Sequence, residues 1–157
     1  MMVLATDSHG NQLIDVTLEH EVPNGHDTVP LTGALVVVTG PDGFLLVHDV
    51  WRDQWELAGG GIDQGETSEQ AARREVSEES GQQLRNCRRV GSAMFRRATD
   101  GLIERADLFC GNVERVMAFE GNDETDAIRW WDGYSTPEQV GAIDAALIRW
   151  ALAHDAI

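Results

Sequence analysis

Apolar residues crowd into one stretch of the chain, Leu31 to Thr39, where Ala34-Leu35-Val36-Val37-Val38 run without a polar break. A strand wetted on one face alternates apolar and polar positions, so this β-branched run predicts a strand covered on both faces. Pro41-Asp42-Gly43 predicts a hairpin turn, and Phe44-Leu45-Leu46-Val47 the returning strand. Upstream, residues 2 to 18 read as two short strands around the turn Asp7-Ser8-His9-Gly10-Asn11, and Pro23, Asn24, Gly25 and Pro30 mark a loop. Further strands are expected at about 88 to 97, 104 to 113 and 127 to 131.

The period changes after the glycines at 59 to 61. Ser68 to Ser80 contains no Pro or Gly, Thr67 and Gln70 have capping-box spacing, and Gly81 sits where a left-handed C-cap would stop a helix. A helix over about 67 to 80 follows, with Ala72 and Val76 facing the core and an acidic face pointing away from it. A last helix is expected to open at Thr136 with Pro137 at its first position and to bury Val140, Ile143, Leu147 and Trp150. Trp55-Glu56-Leu57-Ala58-Gly59-Gly60-Gly61 reads as a strand end entering a loop whose backbone must approach something closely. The expected class is α/β, a mixed sheet with helices on its faces. Residues 1–30 form an N-terminal hairpin-and-loop extension, and 31–157 form the main part of a single globular unit.

Charge narrows the chemistry. The formal net charge is −15, from 27 acidic residues against 12 basic ones, and every basic residue is arginine. With no lysine there can be no Schiff base and no P-loop lysine, and phosphate contacts fall to arginine forks. Long nucleic acids are disfavoured as partners, because backbone binding needs a basic footprint. No apolar stretch approaches membrane-spanning length, and no signal-peptide pattern is visible. Cys87 and Cys110 lack metal-ligand spacing. A reduced, cytoplasmic setting without membrane contact is the expectation.

The acidic helix carries the strongest chemical signal. Positions i, i+3 and i+4 share a helix face, so Glu75, Glu78 and Glu79 bring three carboxylates together. Such a face calls for cationic compensation. Arg74 reaches Glu78 at i+4, and convergent hard oxygens suit Mg²⁺ or Mn²⁺, with phosphate oxygens and water completing the shell.

Residues 60–82 as a whole resemble the Nudix box: Gly60, five residues, Glu66, seven residues, then Arg74-Glu75-Val76-Ser77-Glu78-Glu79-Ser80-Gly81-Gln82. Two positions depart from the pattern. Gln82 is polar where an apolar residue is usual, a change expected to touch local stability more than chemistry, and Ala58 replaces a common proline. The resemblance implies a Nudix-type α/β/α sandwich and a MutT-like hydrolase that splits a pyrophosphate bond in a nucleoside diphosphate derivative by water attack at phosphorus. It implies Glu75, Glu78 and Glu79 as metal ligands with the Gly59 carbonyl, and Glu66 and Arg74 as orienting residues. For catalysis it points to Glu75 and Glu78 on the helix and to Glu124 in the acidic loop Glu120 to Asp126, ahead of Trp130.

Substrate contacts are thinly written. Trp51 and Trp55 are candidates to stack on a nucleobase, Arg52, Arg96 and Arg97 to contact phosphate, while His48 reads as a structural histidine. No proline or tyrosine specificity tag of the family lies between Gly81 and Arg105, which lowers those branches without selecting another. The expected partner, from the resemblance and the acidic charge, is a small phosphorylated nucleotide, a nucleoside triphosphate (oxidised forms included) ahead of a nucleotide sugar. Two alternatives are an isopentenyl-diphosphate isomerase-like protein and a non-catalytic nucleotide sensor. A homodimer is a further expectation from the family.

Overall fold

The computed structural model describes residues 2–135 and 138–157. The buried run becomes β3 (Leu31–Gly40), which lies in the middle of one mixed sheet. On one side it pairs in parallel with β8 (Ile103–Asn112), from Leu31↔Arg105 to Thr39↔Asn112. On the other it pairs antiparallel first with β6 (Ala58–Gly61) and then, at Thr39↔Phe44, with β4 (Gly43–Asp49). The sheet continues outward through β7 (Asn86–Arg96), β2 (Gln12–Leu18) and β1 (Ala5–Thr6) on one flank. The other flank holds β5 (Gln54–Glu56) and β9 (Thr125–Trp131), both paired with β4.

Side chains alternate across this sheet, and each face has its own core. Val36, Val38, Leu45 and Val47 pack with Ala71, Ala72 and Val76 of α1 (Ser68–Ser80). Val37, Phe44 and Leu46 pack with Leu147, Ile148 and Ala151 of α2 (Ala142–Ala153). That two-sided burial is why the valine run does not alternate, and the result is the expected α/β/α sandwich. Residues of the N-terminal extension join the same sheet, since β2 pairs with β7 from Gln12↔Arg96 to Leu18↔Gly91. Among the described residues no helix is long and apolar enough to cross a membrane.

Two local expectations need correction. The glycine stretch is strand β6 rather than loop. What approaches it closely is β3 itself: a Cβ on Gly59, whose φ is 151°, would lie 2.4 Å from the Ala34 carbonyl oxygen. The last helix starts at Ala142, not near 136; Thr136 and Pro137 lie outside the described residues. Gln139 is left-handed (φ 56°), its carbonyl accepts the Trp55 N–H at 2.7 Å, and the Gly141 N–H returns to the Trp55 carbonyl at 2.9 Å. These bonds hold Val140 and Gly141 in a non-helical course beside β5, so Val140 packs ahead of the helix while Ile143 and Leu147 are buried within it.

Candidate active site

Helix α1 begins with the capping box in full. The Gln70 N–H donates to Thr67 Oγ1 at 3.1 Å and the Thr67 N–H to Gln70 Oε1 at 2.9 Å. It ends at Gly81 in the left-handed region, φ 69°. Between these stops its acidic face does not look outward as expected. It leans on β6: the Gly59 N–H donates to Glu79 Oε1 at 2.8 Å, and a Cβ on Gly60 would lie 2.7 Å from Glu75 Oε1. Only glycine leaves room there for the Glu75 carboxylate.

The three carboxylates are therefore unequal. Burial drives the Glu79 pKa up to about 8, against the pull of the Gly59 N–H, and the nearby charges of Glu75, Glu56 and Glu124 add to the rise. Burial also raises Glu75, partly opposed by its bond from Arg74 Nη1 at 2.9 Å. Glu78 is 61% exposed and is held only at its tip, by Arg74 Nη1 at 3.2 Å.

Arg74 is the organiser of this corner. Its guanidinium forks onto Glu66 at 2.8 and 2.9 Å and donates to the Gly61 carbonyl at 3.0 Å. The fork, with the Asp63 N–H, holds the Glu66 carboxyl down at about 2. Glu66 and Arg74 thus tie the start of the box, the end of β6 and the helix into one frame.

Among the described residues no three Asp, Glu, His or Cys groups converge to hold a cation unaided, and Glu75 and Glu78 are each paired with Arg74. The donor chemistry nonetheless fits a hard divalent ion. Two partly buried carboxylates carry raised affinity for positive charge, and neither Glu75 Oε2 nor Glu79 Oε2 has a protein hydrogen-bond donor among the described residues.

Glu79 and Gly59 to Gly61 open onto a cleft of about 740 Å³, walled by β6, the β7 end at Phe95 to Arg97, the first turn of α2 and the Asp7 to Asn11 turn. No local pattern marks this N-terminal turn or Asp144 as part of its lining. Asp144 Oδ1 accepts the Leu57 N–H at 2.8 Å, and burial lifts its pKa to about 7. Asp7 accepts two backbone N–H groups and the Asn11 amide, and Asn11 in turn accepts the Ala98 N–H, which docks the turn onto the end of β7.

The other sequence candidates separate by position. Arg52 lines the cleft with its guanidinium bonded to Glu56 at 2.8 Å twice and to Asp49 at 3.0 Å. Arg96 and Arg97 also line it; Arg96 donates to Gln12 Oε1 and Arg97 pairs with Asp100. Trp55 is partly buried, with the His48 ring 5.1 Å away and the Arg129 guanidinium 5.3 Å over its face. Trp51 is 84% exposed. His48 sits between Asp126 (2.6 Å) and Asp53 (3.0 Å), and the Asp126 bond raises its pKa. Glu124 lies on the loop next to α1, near enough for its charge to act on both Glu75 and Glu79.

A buried, glycine-flanked carboxylate pair on a capped helix, braced by an arginine fork within an α/β/α sandwich, defines a class of site as well as a fold. The chain belongs to the NUDIX domain family, whose model matches residues 29–153. Over 49 residues it is 47% identical to the nucleoside triphosphatase NudI of Salmonella agona (strain SL483), a stretch covering 27% of this chain and 35% of that protein. Over 99 residues it is 31% identical to a candidate 8-oxo-dGTP diphosphatase of Bacillus subtilis (strain 168), covering 62% of this chain and 64% of that one. The chain thus spans less than two thirds of the length of either relative. A variant of the Bacillus subtilis pyrophosphohydrolase BsRppH superposes with a TM-score of 0.70 at 18% identity, covering 96% of this chain and 95% of that one, a likeness of fold.

Proposed function

We propose that the protein hydrolyses a pyrophosphate bond in a small nucleoside diphosphate derivative, with a nucleoside triphosphate, oxidised or not, as first choice and a nucleotide sugar as second. The observation that carries this reading is the placement of Glu79 and Gly59 at the wall of the large cleft, with Glu75 seated behind Gly60. The names of the two curated relatives favour a nucleoside triphosphate. Glu75, Glu78 and Glu79 with the Gly59 carbonyl would hold Mg²⁺ or Mn²⁺, and the bound ion supplies charge neutralisation and alignment of the phosphates. Glu66 and Arg74 keep those carboxylates in register. The role of taking a proton from the attacking water is assigned to Glu124, a reading supported by the reach of its charge to Glu75 and Glu79. Arg96 at the end of β7 and Arg97 just beyond it line the cleft, and exposed Trp51, outside the cleft lining, is the candidate for stacking on a base.

The isomerase alternative relies on a reactive cysteine. Here burial pushes the Cys87 and Cys110 thiols up to about 11 and 12, and neither lines the cleft. The sensor alternative is disfavoured by the intact carboxylates.

A panel of nucleoside triphosphates, their oxidised forms, nucleotide sugars and isopentenyl diphosphate, assayed with Mg²⁺ and with EDTA, tests the reading. Metal-dependent release of pyrophosphate or nucleoside monophosphate is the expected result. Tight binding of one compound with no turnover of any would instead establish the sensor.

The glycines offer a sharper check. In Gly60→Ala the new methyl meets only the mobile end of Glu75, so activity is expected to fall about tenfold or more while the melting temperature holds within a few degrees. In Gly59→Ala the methyl meets the β3 backbone, so the protein is expected to lose stability outright. Equal behaviour of the two variants in activity and thermal melts would contradict this assignment of Gly60.

A further inference from the structure

The last turn of α1 leaves carbonyl groups without helical donors, because the chain turns left-handed at Gly81. Two of them belong to Glu78 and Glu79, and both are taken by side chains at the entry to β9, Asn122 in the preceding loop and Thr125 as the first residue of the strand. Asn122 Nδ2 donates to the Glu78 carbonyl at 2.8 Å, and Thr125 Oγ1 donates to the Glu79 carbonyl at 2.8 Å. Asn122 Oδ1 then accepts the N–H groups of Glu124 and Thr125, each at 2.9 Å, while the Glu124 carbonyl accepts the Val50 N–H at 3.0 Å. Both backbone polar groups of Glu124 are thereby fixed, and Thr125 is buried.

The same loop is fastened again further back. Gln82, fully buried, receives the Met117 N–H on Oε1 at 2.8 Å and donates Nε2 to the Met117 carbonyl at 2.7 Å. The polar residue at this position of the box is therefore a clamp on the loop as well as a packing element.

We propose that Asn122 and Thr125 are positioning residues that use the free carbonyls of Glu78 and Glu79 as a template, so that the Glu124 carboxylate is set against Glu75 and Glu79 as one unit. The helix that carries the acidic side chains is, through its backbone, also the ruler that places the loop carboxylate. This rests on the reading that Glu124 takes part in the reaction.

The test is a double-mutant cycle on the nucleoside triphosphate turned over most rapidly. Glu124→Gln is expected to lower kcat by about a hundredfold or more. Thr125→Val, which removes the hydroxyl and keeps the shape, is expected to lower kcat about tenfold with little change in KM, and Thr125→Ser to restore it. In the Glu124→Gln background Thr125→Val should cost nothing further, a result that loss of general stability would not produce. Amide exchange at 119–125 should quicken in Thr125→Val, independently of activity. If Thr125→Val fails to fold, exposed Asn122→Ala replaces it in the same cycle. Additive losses, or unchanged exchange, would overturn the positioning role. Wild-type kcat in Glu124→Gln would overturn the part assigned to Glu124 itself, and so separates that failure from failure of the bracket.

Discussion

Glu79→Gln is expected to abolish turnover and, in the same protein without divalent ions, to raise stability at alkaline pH. The first effect follows from its place at the cleft beside Gly59. On the proposed role of Glu79 as a metal ligand, removing its charge is expected to cost about a thousandfold in kcat or more. The second follows from burial. The Glu79 pKa rises from 4.5 in the unfolded chain to about 8 in the folded one, so the folded state holds the proton more tightly. That contribution to stability is complete below about pH 4.5 and is lost as pH rises through about 8. A neutral glutamine still accepts the Gly59 N–H and has no proton to lose. One pKa unit corresponds to about 1.4 kcal/mol, so even with local water entry the variant should melt roughly 5–10 °C above wild type at pH 9 in EDTA. The gap should close by pH 5. Parallel melting curves across that range would show that the strain of burial lies elsewhere.

Arg74→Lys keeps the charge and removes the fork. Arginine contacts Glu66 twice and Glu75, Glu78 and the Gly61 carbonyl once each, a set that a single ammonium cannot reproduce. Because Arg74 is not itself a ligand, the expected defect is in the arrangement of the ligands: Mn²⁺ affinity weaker by about ten- to a hundredfold, with activity partly recovered at high metal. Glu66→Gln should behave alike, and combining the two should add little, since both break one frame. Calorimetric titration with Mn²⁺ measures this directly. Undiminished affinity in Arg74→Lys would mean that Glu75 and Glu79 are held by β6 alone.

How much of this was legible follows the range of the interactions. Capping box, C-cap glycine and the Ala72–Val76 stripe act within a few residues, and α1 appears between Ser68 and Ser80 with Thr67 as its cap. The strand pattern was legible for a similar reason: two-sided burial of β3 removes alternation from its own sequence. The start of α2 was not, because Gln139 and Gly141 are held out of the helix by bonds to Trp55, far away in sequence. Gln82 reads as a lapse in packing along the sequence, yet the fold gives its side chain the N–H and carbonyl of distant Met117 beside the neighbouring Ser80 carbonyl. Trp51 and Trp55 look alike in sequence, yet Arg129 and His48 cover one and leave the other exposed.

The helix face shows the division most clearly. The sequence by itself determined that Glu75, Glu78 and Glu79 share one side of a well-capped helix and that Arg74 stands next to them, since helical period and capping are local. It also determined a chain with arginine as its sole strong base. Only the tertiary structure decided that Glu79 is buried against Gly59 while Glu78 hangs in solvent on Arg74, that the Asp7 to Asn11 turn walls the cleft, and that Asn122 and Thr125 dock Glu124 onto the helix end. Those choices depend on which distant backbone comes within hydrogen-bond reach and which carboxylate loses its water, and neither is encoded in the spacing of residues along one helix.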